Sequence, residues 1–463
     1  MYESELNRQR QTAKTLVNDL LEGRLDRRSL LKLAGAAGIS VPVLSAALGA
    51  RGAAAQDAMA TPGASPASSP SASPAAEAPL TLGDYSGKSL KVSIAMAEQE
   101  AQVFRDVVVA GFKQETGGDI EVVNIEAADV IRTLQAQKDS GNVQLDLLVQ
   151  DNNSLAQLVS NELVEKIPDA ESIMPPTTIE ALKPVLQFDG EYWFLPARPN
   201  VQITYYNSAK FSDWGLEPPK TWDDLKSTAA SIKEKAGVGQ VSIQGVTGGA
   251  VGVTVTQFLW QAGGDPLKIN TDEGAAAFQL MQDLKPDLTP QYPTATFDTT
   301  NTYLLNESVV LAQNWPFGVV VIVEQGGKKD ILAYSGWEGP KGNALVLGGD
   351  VFGIATGTQN HDMAVDFTKY WMTRDVQEQL TAKNGWPSMR SDALGEVADW
   401  QKPYFDVVNQ ALAVSKARPN VTYWSQVETI LSNAFNDIVT SGQDVKDTLE
   451  RYQQEIDKAA NGG

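Results

Sequence analysis

Asp151 stands two residues beyond the apolar run Leu145-Asp146-Leu147-Leu148-Val149, which puts a carboxylate at the end of a short buried strand. In open α/β sheets ligands bind outside the carboxyl ends of the strands, and a carboxylate there accepts hydrogen bonds from hydroxyl or ammonium donors. Little else in the chain would turn such a group into a reaction centre. One histidine, His361, and no cysteine occur in 463 residues. Histidine is the usual general base near neutral pH and the commonest transition-metal ligand, and His361 lies in the polar turn Gly357-Thr358-Gln359-Asn360-His361-Asp362 leading into a helix. Ser-His-Asp triads, HExxH zinc sites and cysteine nucleophiles therefore lack their parts. Disulfides and a lipid-modified cysteine are excluded by the same count. The sequence asks for no cofactor and no metal.

The elements that would carry Asp151 repeat regularly. Lys88 to Ala95 alternates as a strand does; a helix is expected over 102–115, ended by Gly117-Gly118, then a strand over 120–125. A helix over 129–139 and a strand over 145–149 complete the run, and such alternation predicts parallel β-α-β units. Further helices are expected over 222–236, 254–262 and 272–284, with strands over 203–206, 309–312 and 351–355. The stretch from Tyr423 to Ala460 reads as helices, with Val427, Ile430, Leu431 and Ala434 at helical spacing. A chain that is 42% hydrophobic and of this length supports two domains with real cores.

The first 86 residues read differently. Arg27-Arg28-Ser29-Leu30-Leu31-Lys32 precedes a mildly apolar stretch to about Ala50 and a small-residue run at Ala53-Ala54-Ala55. This resembles a twin-arginine export signal with a cleavage site, residues 1–55. Left uncut, the same stretch would tether the chain, since about 20 apolar residues cross a bilayer core. Residues 56–86, dominated by Ala, Ser and Pro, read as an extended spacer. The expected location is extracytoplasmic. With 37 basic against 57 acidic residues the formal charge is −20, which argues against nucleic acid or anionic lipid as a partner.

A series of short motifs carries a resemblance to a known family. Gly190-Glu191-Tyr192-Trp193-Phe194-Leu195-Pro196, Thr204-Tyr205-Tyr206-Asn207, Lys210-Phe211 and Pro218-Pro219-Lys220-Thr221-Trp222-Asp223-Asp224-Leu225 come first. Asn314-Trp315-Pro316-Phe317, Leu347-Gly348-Gly349-Asp350, Asn384-Gly385-Trp386-Pro387-Ser388-Met389-Arg390, and Arg418-Pro419 with Tyr423-Trp424-Ser425 follow. In this order they resemble the extracellular solute-binding proteins of ABC sugar importers, trehalose/maltose-type branch, over roughly residues 88 to 460. The resemblance implies an α/β, two-lobe periplasmic-binding-protein fold of type II, hinge-linked, closing on a ligand between the lobes. It puts residues 88–202 and 351–395 in lobe 1 and residues 203–350 and 396–460 in lobe 2. The chain would cross between them near residues 200–205, 346–350 and 393–400.

The same resemblance implies a monomeric receptor, not an enzyme, that hands a small carbohydrate to permease subunits. Sugars need carboxylates and amides beside flat rings, and the implied ligand-binding set is Glu100, Asp151, Arg198, Asn200, Trp315, Phe317, Gly349, Asp350 and Arg418. Trp315 is the expected stacking wall, its loss expected to spare the unliganded fold, with Phe317 as a second wall. Gly349 would let the backbone approach the ligand, and Arg418 would fork two hydroxyls. The chain departs from the family pattern at Arg198, where a Tyr is common, at Asn200 for Asp, at Phe317 for Tyr, and at Asp350 for a stacking Trp. Trp260, Trp386 and Trp424 are lesser candidates, read more as core than as contact. Two other readings stay open: a receptor for a cationic solute, favoured by Asp151 and Asp350 in one cleft, and a secreted glycoside hydrolase, which needs a pair of carboxylates.

Overall fold

The computed structural model describes residues 80–96, 98–125, 127–393 and 397–462. The expected signal segment lies outside the described residues, as does the spacer up to residue 79. In chain order the strands are β1 (Ser89–Ile94), β2 (Asp119–Val123), β3 (Leu147–Asp151), the hairpin β4 (Gln187–Phe188) and β5 (Glu191–Tyr192), β6 (Leu195–Val201), β7 (Ile203–Asn207), β8 (Val241–Ser242), β9 (Leu311–Asn314), β10 (Ile331–Tyr334), β11 (Leu345–Ile354) and β12 (Ser415–Ala417). They form two principal sheets. The first runs β12-β11-β3-β1-β2, with β6 also paired to β11; the second runs β10-β7-β9-β8.

In the first sheet β1 is parallel to both β2 and β3, as the alternating elements require. Leu90, Val92 and Ile94 alternate into the core, while Lys91 reaches Glu121 on β2 at 2.8 Å near the surface. β3 shows no such alternation: Leu147, Leu148, Val149 and Gln150 are all buried, the pattern of a strand covered on both faces. The helix after β1 starts at Glu98, earlier than the periodicity suggests, and contains a π-helical turn at Arg105–Val109 before its last segment, Ala110–Thr116. Gly117 ends it at φ 73°, a left-handed position that glycine adopts without steric cost.

Helices of the second lobe have strong local reasons to form. Thr221 and Asp224 make a reciprocal capping box at the head of helix Trp222–Ala236, and Thr271 caps helix Asp272–Leu284. Helix Gly249–Ala262 begins five residues before the expected Thr254 because it is buried almost all round, which blurs the amphipathic signal. In helix Trp424–Phe435 the expected stripe of Val427, Ile430, Leu431 and Ala434 is buried.

The connections between the sheets decide where a ligand can go. A single residue, the buried Gln202, separates β6 in the first sheet from β7 in the second. β11 runs ten residues, starting earlier than the expected Val351, because Leu345 to Leu347 already pair with β12. That pairing also places residues 415–417 in the first sheet, although the sequence assigns 396–460 to the second lobe; the chain passes on at 418–423. Helix Lys402–Ala413 packs against β6 and β11 of one sheet and β7 and β10 of the other.

One position in this hinge has no steric freedom. Gly349 sits at φ +107°, and a Cβ there would lie 2.2 Å from the Arg198 carbonyl oxygen on β6. Gly349→Ala is expected to lower stability by about 2 kcal/mol, the order of a strained non-glycine backbone with a clash added. A urea midpoint unchanged from the native chain would contradict the close β6–β11 approach.

Candidate functional site

A cavity of about 860 Å³ opens between the two lobes. Ala95, Met96 and Glu100 reach it from the loop and helix after β1, and Arg198, Pro199 and Asn200 from β6. Lys383 to Pro387 reach it from the turn closing helix Arg374–Asn384. From the second lobe come Phe297 and Asp298 at the head of one helix, and Trp315, Phe317, Val320, Val321 and Gln325 beyond β9. One wall is therefore mostly aromatic and aliphatic, while the other carries the polar groups Glu100, Arg198, Asn200, Lys383 and Asn384.

The apolar wall is set from behind. Trp315 is 9% exposed and meets Phe297 edge-on, with ring centroids 5.6 Å apart. Gly348 leaves room for its indole, since a Cβ there would be 2.7 Å from the ring. Tyr205 donates its hydroxyl to the Trp315 carbonyl at 3.0 Å, and Asn314 donates through Nδ2 to the Phe297 carbonyl at 2.8 Å and to Asn301 Oδ1 at 2.6 Å. The asparagine of Asn314-Trp315-Pro316 thus ties two cavity-lining segments together from a fully buried position.

The polar wall is a set of interlocked charges. Arg198 donates through Nε to Asp350 Oδ2 at 2.5 Å, its Nη1 lies 3.6 Å from Glu100, and its guanidinium sits 4.2 Å from the Trp386 ring centroid. Trp386 donates its indole N–H to Glu100 Oε1 at 2.6 Å. Burial works against the Arg198 charge, but Asp350 and Glu100 outweigh it and hold the pKa above the ordinary arginine value. Burial also pushes the Asp350 carboxyl up, against the pull of Arg198.

Behind this wall the row of charges continues. Asp350 is opposite Arg198 on β6 and opposite Asp151 on β3. Arg418 donates to Asp151 Oδ1 at 2.8 Å and to Asn152 Oδ1, and its Nη1 lies 3.6 Å from Glu428. Burial raises the Glu428 carboxyl above its usual range, with Arg418 opposing.

Of the nine residues singled out in the sequence, the structure brings Glu100, Arg198, Asn200, Trp315 and Phe317 to the cavity. Asp151, Gly349, Asp350 and Arg418 do not line it. Arg418 is 8% exposed, with its Nη groups turned to Asp151, Asn152 and Glu428 and its Nε–H buried without a hydrogen-bond partner. Gly349 is needed for the approach of β6, not to admit a ligand to the backbone. Trp315 is too well packed for its removal to leave the unliganded protein untouched.

Phe297 and Asp298 line the cavity without any sequence signal that set them apart, and Asn384, the first residue of the motif ending at Arg390, lines it although it was not among the nine. Trp386 lines it too, although it is 3% exposed and stacks on Trp371 with ring centroids 6.0 Å apart. Trp260 packs beside Trp315, and Trp424 is core. Among the described residues no group of three or more His, Cys, Asp or Glu is placed to hold a metal ion.

Residues 108–404 match the model of the family described as bacterial extracellular solute-binding protein. The chain belongs to this family. Its members are binding proteins rather than enzymes, and they work outside the cytoplasm. The multiple sugar-binding protein of Streptococcus mutans is 25% identical over 214 residues, 42% of this chain and 50% of that protein. This solute-binding protein spans about half the length of the curated relatives it matches. The structure of the GacH receptor of Streptomyces glaucescens, solved unliganded and with acarbose, superposes with a TM-score of 0.71 at 16% identity, covering 82% of this chain and 99% of that one. Maltose-bound T. maritima MalE3 gives 0.72 at 19% identity, covering 80% and 100%. These likenesses establish the two-lobe type II periplasmic-binding-protein fold.

The turn that carries Trp386 is anchored by Arg390. Its Nη1 donates to the Met372 carbonyl at 3.0 Å, and its Nε and Nη2 donate to Asp392 at 2.8 and 2.9 Å. The Arg390 guanidinium holds the Asp392 carboxyl down from 3.8 to about 2. A lowered native pKa gives stability that is present above the unfolded value and lost as pH falls through the native one. The contribution should therefore fade between pH about 4 and about 2. Asp392→Asn is expected to be less stable at neutral pH and to show a shallower loss of stability on acidification. Parallel denaturation midpoints of the two proteins across that window would show that the pair does not anchor the turn.

Proposed function

We propose that this solute-binding protein captures a carbohydrate between its lobes and delivers it to the permease of an ABC importer. What carries this reading is the make-up of the cavity: an aromatic wall of Trp315, Phe317 and Phe297 from one lobe faces the polar groups Glu100, Arg198, Asn200 and Asn384 from the other. A pyranose needs both, apolar C–H faces against rings and hydroxyls against fixed donors and acceptors. The multiple sugar-binding protein of Streptococcus mutans and maltose-bound T. maritima MalE3 agree with that chemistry. The Asn314-Trp315-Pro316 element supports the trehalose/maltose-type branch.

Binding across the hinge supplies the mechanism. A ligand that touches both walls stabilises the closed arrangement and shifts the population toward it, so a permease can recognise the closed form. The protein acts as an exported monomer, carried out by the signal at Arg27-Arg28 and held at the membrane only where that segment is retained.

A thermal-shift screen of the exported domain against mono-, di- and trisaccharides tests the reading, because a ligand that binds only the folded state raises Tm by mass action. At least one sugar is expected to stabilise the protein; none doing so would refute carbohydrate capture. Phe317→Ala, at a half-buried wall residue, is expected to weaken binding of that sugar about tenfold with little change in unliganded Tm. Trp315→Ala is expected to lose binding and to cost about 3 kcal/mol of stability, in line with truncation of a buried aromatic. Calorimetric titration of both variants separates the two effects.

A further inference from the structure

The polar wall gathers acidic side chains around a single guanidinium. Three charged side chains meet at this wall: Arg198 and Glu100 line the cavity and Asp350 backs Arg198 from β11, with side chains 18%, 22% and 12% exposed. Two carboxylates share one guanidinium. Asp350 takes the Arg198 Nε–H at 2.5 Å, Glu100 lies 3.6 Å from Nη1, and Trp386 covers the guanidinium at 4.2 Å. The next acidic group back, Asp151, faces Asp350 across the β3–β11 pairing and is matched by Arg418. At the rim the exposed Asp298 and Lys383 contribute one charge of each sign.

We infer that Arg198, with its charge already taken up by Asp350 and Glu100, makes this cavity select uncharged sugars and reject carboxylated or phosphorylated ones, so that Asp350 and Glu100 are its specificity-determining residues. This rests on the carbohydrate reading above. An arginine in a binding cleft ordinarily attracts anions, because its planar fork matches a carboxylate or phosphate. Here that fork is engaged on its Nε edge by a protein carboxylate and flanked by a second. A ligand carboxylate would have to displace one of them or lie beside both, and like charges at low dielectric repel strongly. A hydroxyl or ring oxygen meets no such penalty and can accept from the N–H groups not committed to Asp350.

The same geometry says how to reverse the preference. Asp350→Asn keeps the size of the side chain and removes the strongest partner of Arg198, leaving one guanidinium beside one carboxylate. Glu100→Gln does the same from the more exposed side and keeps an acceptor for the Trp386 indole N–H. Either change moves the local balance by one positive charge.

The experiment is a paired thermal-shift and calorimetric panel on the exported domain, using glucose, maltose and maltotriose against glucuronate, galacturonate, digalacturonate and glucose 6-phosphate. The native protein is expected to respond to a neutral sugar and to none of the acidic ones, and at least one variant is expected to gain binding of an acidic sugar by tenfold or more. An acidic sugar bound by the native protein as tightly as its neutral counterpart would overturn the inference and leave carbohydrate capture standing. So would two variants that fold, as shown by native-like circular dichroism, and still reject every acidic sugar. A native protein that responds to no member of either set would instead remove the carbohydrate reading itself, and the selectivity with it.

Discussion

The close pairing of β6 with β11 governs the rest of this molecule. Three consecutive residues of β11 answer to it in different directions. Gly348 has no side chain and so leaves room for the Trp315 indole; Gly349 takes a left-handed backbone conformation beneath the Arg198 carbonyl; Asp350 projects to the Arg198 guanidinium. The aromatic wall and the charged wall of the cavity are both referred to that one stretch. Because β6 continues through Gln202 directly into β7 of the other sheet, the same pairing also sets how the lobes are joined.

Burying charges beside a ligand cleft costs free energy unless each is matched. The structure meets this by threading them in a row: Glu428, Arg418, Asp151, Asp350, Arg198 and Glu100 alternate in sign except at the Asp151–Asp350 step, where each acid has its own arginine. The row spans elements of both lobes, from the helix after β1 to helix Trp424–Phe435. Two of its members, Arg198 and Asp350, come from different strands, β6 and β11. They lie far apart in sequence, yet they are directly opposite each other in the sheet, so each compensates the other. An arginine introduced alone would have brought an unmatched charge to the cleft; brought with its aspartate, it supplies a rigid, nearly neutralised donor.

The aromatic wall follows a different rule. Its rings are positioned by neutral hydrogen bonds from buried groups, Asn314 to the Phe297 carbonyl and Tyr205 to the Trp315 carbonyl, rather than by ion pairs. Such bonds fix backbone segments without adding charge to the cavity, so the apolar character of that side is preserved. The two walls thereby remain chemically distinct.

The sequence alone determined the parts of this protein that rest on local or ordered signals. Alternating β1, the Gly117 helix end, the Thr221 cap and the stripe on helix Trp424–Phe435 are read from neighbouring residues, and the order of short motifs carried the family and its two-lobe fold. Boundaries were less legible where burial is all-round, as in helix Gly249–Ala262 and the long β11, because a residue buried on every side leaves no periodic contrast. What only the tertiary structure decided is which of the chemically apt residues share a space. Asp151 and Arg418 look like ligand contacts from their types and motifs, but strand register and the turn after β12 turn them toward each other, while Phe297 and Asp298 reach the cavity through a helix start whose neighbours announce nothing. The physical reason is that a side chain's partner is set by the pairing of distant backbone segments, and that information is spread over the whole fold rather than held in any one motif.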